Sequence, residues 1–339
     1  MLELLVARSR QFRAVRHRDQ GRLDAAERLS QRAIVGFQRC RGTAGDELAL
    51  SCLTLASIHA ERAAHTPAER WRRRAITLLE PRSALLADAL VALGDGLRRQ
   101  ARYQEAEAVL LRAAETGWAV AAVQNALGIL CKDTGRYEQA AAHYAACGEA
   151  LGDRADPAAI ANQRHNLAGL AYARGDYADA EQLARAALAL RARALGADAP
   201  ATVADAVVLA AVLAALGRPA QAAALYRCAL RIYRRRYGPD HYEVAVCVHG
   251  LAALPDTAAQ ESRYLFDRAL RVKRAVLGEE HPEIAVLLHN LAALQARTGR
   301  HEEAARHSAE AVGILIRTLG PDHPVTRRCE AAGVGWRGY

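Results

Sequence analysis

The chain has 339 residues, 52% of them hydrophobic but only 5% aromatic, with a formal charge of +9. The apolar share excludes a disordered chain, and no run approaches the roughly 18 apolar residues of a membrane span. So few rings leave little on which nucleic-acid bases could stack. Almost all of the positive charge is Arg, with Lys only at 132 and 273, which reads as the coding bias of a GC-rich genome. Seven cysteines, odd in number, scattered and without a Cys-x-x-Cys, fit a reduced cytosol better than a disulfide framework. A cytoplasmic protein is the expectation.

The opening stretch, MLELLVARSRQFRAVRHR, places its basic residues after a short apolar run and offers no small-residue cleavage site, so it reads as a helix and not a signal peptide. The next stretch, GRLDAAERLSQRAI (21–34), matches GDYADAEQLARAAL (175–188) in its Gly, its Ala-Glu-x-Leu and its final Ala-aliphatic pair. A repeating array therefore starts close to Met1. In the second unit AHTPAERW (64–71) departs from the usual turn. From Leu93-Gly94 to Leu127-Gly128, and from Tyr103 to Tyr137, the interval is 34 residues. Further on it widens. Leu195-Gly196, Tyr237-Gly238, Leu277-Gly278 and Leu319-Gly320 are 42, 40 and 42 apart, and Leu167-Ala168, Leu209-Ala210, Leu251-Ala252 and Leu291-Ala292 are 42, 42 and 40 apart.

Each unit reads as two helices. The first ends at a turn glycine such as Gly135, Gly175, Gly217 or Gly299, and the second ends at the Leu-Gly ruler. Small residues at Gly94, Gly128, Ala168, Ala210, Ala252 and Ala292 mark where the helices cross closely. Eight units are expected near 2–41, 46–80, 83–117, 118–155, 158–197, 200–239, 242–279 and 282–320, followed by a capping helix over 323–332 and a flexible tail over 333–339. The eight residues by which the longer units exceed 34 should lengthen each helix pair by up to about 12 Å in total. Pro255 should end the first helix of the seventh unit early.

The 34-residue interval, the Leu-Gly first helices and the Ala-rich second helices resemble the tetratricopeptide repeat. The 42-residue units ending in LGEEHPEIA (277–285) and LGPDHPVT (319–326) resemble more narrowly the extended repeats of kinesin light chains and of many bacterial proteins. The resemblance implies an all-α, right-handed superhelical solenoid of eight helix pairs plus a cap, whose first helices line a concave face. It also implies a cytoplasmic protein-interaction scaffold that holds a peptide or protein segment in that groove, with no cofactor.

On that implied face His165, His249 and His289 share one register position, Asn166 and Asn290 follow directly, and Asn125 lies one place earlier in its unit. An amide there can donate to a peptide carbonyl and accept from a peptide N–H at once. The same amide could instead bond a neighbouring helix. Lys132, Asn162, Tyr172 and Arg297, with Asp95, Arg98 and Arg99, complete a groove of mixed charge, suited to an extended or helical peptide. A metal shared among the histidines is not expected, because packed helices lie about 8–10 Å apart. The His-Pro pairs at 281–282 and 323–324 read as helix starts.

RWRRRA (70–75) and RIYRRRYG (231–238) read as solvated outer faces, and nucleic-acid binding through them would be steeply salt-dependent. No nucleotide loop, nucleophile elbow or zinc-protease motif is present, so no enzyme is expected. Two readings of function stay open beside the adaptor: a regulatory peptide sensor or ligand-sensing component of a signalling or defence system, and an Arg-mediated nucleic-acid binder.

Overall fold

The structure, a computed structural model, describes residues 2–40, 44–81, 83–152 and 155–332. The proposed tail over 333–339 lies outside the described residues. Seventeen helices and no strand are found among the described residues. Seven antiparallel pairs pack within the units: α1 (Leu2–Asp19) with α2 (Leu23–Arg39), α3 (Gly45–Glu61) with α4 (His65–Leu78), α5 (Ala84–Arg98) with α6 (Tyr103–Glu115), α9 (Pro157–Arg174) with α10 (Tyr177–Leu195), α11 (Pro200–Ala215) with α12 (Pro219–Tyr237), α13 (Tyr242–Ala252) with α14 (Ala259–Leu277), and α15 (Pro282–Arg297) with α16 (His301–Leu319); between the third and fourth of these the chain forms α7 (Val120–Asp133) and α8 (Tyr137–Leu151). A last helix, α17 (Pro324–Ala332), follows. The chain divides within α7 into two compact units, Met1–Leu130 and Cys131–Tyr339.

In the first unit Leu55, Ile58, Leu90, Leu97 and Leu110 form a continuous core. In the second, Tyr226, Tyr233, Phe266, Ile284, Leu287 and Leu288 are buried between successive pairs. First helices touch one another across repeats, α1 with α3 and α3 with α5 in one unit, α9 with α11 and α11 with α13 in the other. The crossings have no spare room. A Cβ at Gly94 would lie 2.6 Å from Leu110 Cδ2 and one at Gly36 2.9 Å from Ala7 Cβ, while Ala168, Ala210 and Ala292 are fully buried.

The longer repeats place their added residues in the second helix: α10, α12, α14 and α16 each have 19 residues, against 14, 13 and 15 in α4, α6 and α8. Each long helix ends at a glycine of positive φ, at 196, 238, 278 and 320. At the next corner a histidine ring does the capping. Nδ1 of His241, His281 and His323 accepts the main-chain N–H of Glu243, Glu283 and Val325 at 3.1–3.2 Å, satisfying a donor the helix cannot. The His in these corners is therefore a cap, and in two of the three, at Pro282 and Pro324, a Pro opens the helix that follows.

α17 does more than cover α16. Its start lies against the turn between α7 and α8, where a Cβ on Gly135 (φ +75°) would fall 2.6 Å from Pro324 Cδ and 2.9 Å from His323 Cδ2. Within the second unit the last helix thus meets the first turn.

At two turns an alanine stands in for the usual glycine. Ala63 and Ala101 hold φ of 57° and 56°, a left-handed conformation that costs an L-residue about 1–2 kcal/mol. Ala101→Gly should raise stability by about 0.5–1 kcal/mol in a denaturant titration; a decrease would contradict this account of the turn.

Candidate functional site

The structure gathers the sequence-selected polar residues of the second unit into two clusters, each organised by a cation five residues before a helix-ending glycine. That position is Arg191 in α10, Tyr233 in α12, Lys273 in α14 and Leu315 in α16. It is the fifteenth residue of its helix, beyond the ends of α4 and α6, which have 14 and 13 residues. Arg191 and Lys273 are 4% and 3% exposed, so each requires an anion.

Arg191 Nε donates to Asp205 Oδ2 of α11 at 2.6 Å, and its Nη1 donates to Asn162 Oδ1 of α9 at 2.7 Å. Asp205 is fully buried on its side chain and also accepts from His165 Nδ1 at 2.6 Å. A carboxylate only accepts, so His165 carries a proton on Nδ1. Asn162 is exposed and His165 half-buried. Asn166 and Tyr172 are half-buried on the same helix, with the Tyr172 ring 5.4 Å from that of Tyr177. One buried ion pair therefore fixes two of the predicted contacts at the α9 surface.

Lys273 Nζ donates to Glu283 Oε2 at 2.8 Å, and Tyr242 OH donates to the same carboxylate at 2.7 Å while its ring lies 5.6 Å from Nζ. Burial pushes the Glu283 carboxyl up, but Lys273, His281 and Tyr242 outweigh it and leave a pKa of about 2. Beside this cluster Asn290 Nδ2 donates to His249 Nε2 at 2.9 Å. The amide nitrogen cannot accept, so His249 is neutral. Burial and the nearby Lys273 charge pull its pKa down to about 3, against the opposing pull of Glu283.

Three expectations change. His289 is fully buried and His249 is 7% exposed, so neither ring lies open to a groove: α13, α14 and α15 close over the register position that is half-open at His165. Asn290, 5% exposed, bonds a neighbouring helix, the alternative its sequence left open. At the position of Asn166 and Asn290 the seventh unit has Gly250, because the Tyr226 ring fills the space a side chain would need.

Arg297 stays exposed at the end of α15. Lys132 is paired with Asp133 at 2.5 Å. In the first unit Asn125 is half-buried, and Asp95 is bonded to Arg98 and Arg99 at 2.7 and 2.9 Å. RWRRRA is not a single solvated face either: Arg72 is 9% exposed, packed over Gly96. Arg235 is exposed and paired with Asp198 at 2.9 Å. Among the described residues no group of three or more His, Cys, Asp or Glu could hold a metal, and no helix is long and apolar enough to cross a membrane.

His249 titrates near 6.5 when unfolded and near 3 when folded. The unfolded chain therefore binds the extra proton between these values, and stability falls as pH drops from 6.5 toward 3. Glu283, ordinarily near 4.5 and folded near 2, adds a further loss below 4.5. In denaturation at stepped pH, His249→Gln should remove a slope of about 1 kcal/mol per pH unit between pH 6 and 4.5; an unchanged slope would contradict a neutral, buried His249.

The sequence matches the tetratricopeptide repeat family over residues 158–235, 206–254 and 258–317, and again over 89–117. No curated protein matches it. Among solved structures it is similar to a Rap protein complexed with competence and sporulation factor, at TM-score 0.64 and 13% identity, over 92% of this chain and 98% of that one. It is similar too to a signal-transduction ATPase with numerous domains that has a tetratricopeptide repeat sensor, from Pyrococcus horikoshii, at TM-score 0.51 and 13% identity, over 90% of this chain and 47% of that one. A kinesin-light-chain protein of nearly identical TPR-like repeats from Podosopora anserina is 21% identical, at TM-score 0.43, over 57% of this chain and 94% of that one. With more than half of its length matched and helix pairs throughout, the chain belongs to the tetratricopeptide repeat family.

Proposed function

We propose that this protein is a non-catalytic interaction scaffold that receives a peptide or protein segment on the first-helix face of its second unit. The observation that carries the reading is the Arg191–Asp205 pair, which holds Asn162 and His165 at the α9 surface at 2.6–2.7 Å. Groups already fixed in place lose little further freedom when a partner binds, so more of each contact appears as affinity. Asn166 and Tyr172, half-buried on the same helix, add an amide and a ring, the mixture an extended backbone needs.

The contact of α17 with the α7–α8 turn favours a regulatory variant of the same reading, in which the partner shifts the second unit between closed and open forms and the protein acts as a sensor. The two solved structures that share the fold at TM-scores of 0.64 and 0.51, a Rap protein complexed with a factor and an ATPase with a repeat sensor, are compatible with that variant. They are fold likenesses only.

Affinity capture from the native host separates the possibilities. Asn166→Ala combined with Tyr172→Ala should reduce the captured partner by at least about tenfold while leaving the melting temperature within a few degrees of wild type. Undiminished capture would reject the face. Scattering of the wild type with the captured partner should change if the sensor variant holds and stay the same if the scaffold is passive.

A further inference from the structure

Within the second unit α17 is held from two sides. One side joins the core, where Val325 packs and Cys329 is 1% exposed. The other side meets the turn between α7 and α8. A Cβ on Gly135 would fall 2.6 Å from Pro324 Cδ and 2.9 Å from His323 Cδ2, so only a glycine lets the two come this close. The buried His323 ring, whose Nδ1 accepts the Val325 N–H at 3.1 Å, lies beside Asp133. Burial pulls the pKa of that ring down, and the Asp133 main chain and carboxylate oppose the pull. Arg328, one turn along α17, bonds the Tyr137 hydroxyl and opposes the rise that burial gives its pKa.

The same turn reaches the candidate site. Lys132 Nζ is 2.5 Å from Asp133 Oδ1, and the Lys132 stem lies over Gly169 of α9, where a Cβ would sit 3.9 Å from Lys132 Cδ. Gly169 is three residues from both Asn166 and Tyr172, so the three form one i, i+3 row on the helix. Each is half-buried. The stem therefore crosses the strip between the amide and the ring, where a bound backbone would run. Asp133 joins the two contacts, since its carboxylate holds Lys132 while its main chain lies beside His323.

We propose that α17 is an autoinhibitory latch. Docked on the α7–α8 turn, it keeps Asp133 in place and Lys132 laid across the α9 face; a partner that takes the face displaces Lys132 and, with it, the support of α17. The two events are then linked, so whatever releases α17 strengthens binding, and binding releases α17 to the same extent. The docking surface on the turn is small, a proline, an imidazole and a guanidinium. A partner therefore needs only a moderate preference for the open form to shift the balance. The inference rests on the reading of α9 as the face that receives a partner.

Gly135→Ala and Gly217→Ala, each in the full chain, separate the latch from the cost of the turn. Both glycines hold nearly the same φ, +75° and +74°, but a Cβ on Gly217 has nothing within 4 Å. Lys132 is the reporter, because the chain's other lysine, Lys273, is 3% exposed and paired with Glu283. In Gly135→Ala the rate of Lys132 acetylation by acetic anhydride, the amide exchange of α17 and the native partner captured at limiting protein should each rise about fivefold or more. Gly217→Ala should change none of them. Arg328→Ala, which leaves the turn intact, takes the place of Gly135→Ala if that variant does not fold. Equal behaviour of the latch and control variants, or a freed Lys132 with partner capture unchanged or reduced, overturns the proposal. A freed Lys132 with no partner captured by any form, wild type included, defeats the scaffold reading instead and leaves the coupling of α17 to Lys132 standing.

Discussion

Helices approach as closely as they do here only because the residue at each crossing is Gly or Ala. A Cβ on Gly94 would collide with Leu110 and one on Gly36 with Ala7, and Ala168, Ala210 and Ala292 have no exposed surface. Interiors this dense accept no extra methylene at such points without displacing a helix. The constraint recurs once per pair, which is why the sequence shows a ruler at all. It also decides where variation is permitted: side chains can differ between repeats only off the crossing, and that is where every polar group of the candidate site lies.

The added turns of the long second helices turn that permission into a site. They carry position 191 and position 273 into the layer between repeats, where a cation must find a carboxylate, and α11 and α15 supply Asp205 and Glu283. A buried ion pair adds little net stability, yet losing one partner is costly. Its consequence here is geometric, since Arg191 and Asp205 leave Asn162 and His165 one orientation each. Where the neighbouring position is Tyr233 or Leu315 the layer is apolar and no such surface forms. The seventh repeat departs in the opposite sense, giving up helix length at Pro255, so that α13 has 11 residues where α11 and α15 have 16.

What was legible in the sequence is what depends on neighbours along the chain. The turn glycines, the small crossing residues, the Pro at the first turn and the early stop at Pro255 are local rules, and the helix bounds follow from them. Burial across repeats is not local. His165, His249 and His289 occupy one register position, yet only His165 keeps a half-open ring, a difference set by residues of neighbouring repeats and not by the register. The burial of Arg191 and Lys273 is hidden for a related reason, since a cation in a helical pattern ordinarily marks a solvated face. A signal was present, since Arg191, Tyr233, Lys273 and Leu315 share one register position whose other members are apolar or aromatic. The left-handed alanines at 63 and 101 carry no mark in the sequence, as alanine there is tolerated only because the flanking helices impose the turn.

The central claim is that a partner is received by the first helices of the second unit and not by the outer, arginine-bearing ones. Hydrogen–deuterium exchange on the protein with and without its captured partner addresses that claim directly. The account predicts new protection in α9, α13 and α15, with α10, α12 and α16 unchanged. Protection confined to α10, α12 and α16 would contradict it.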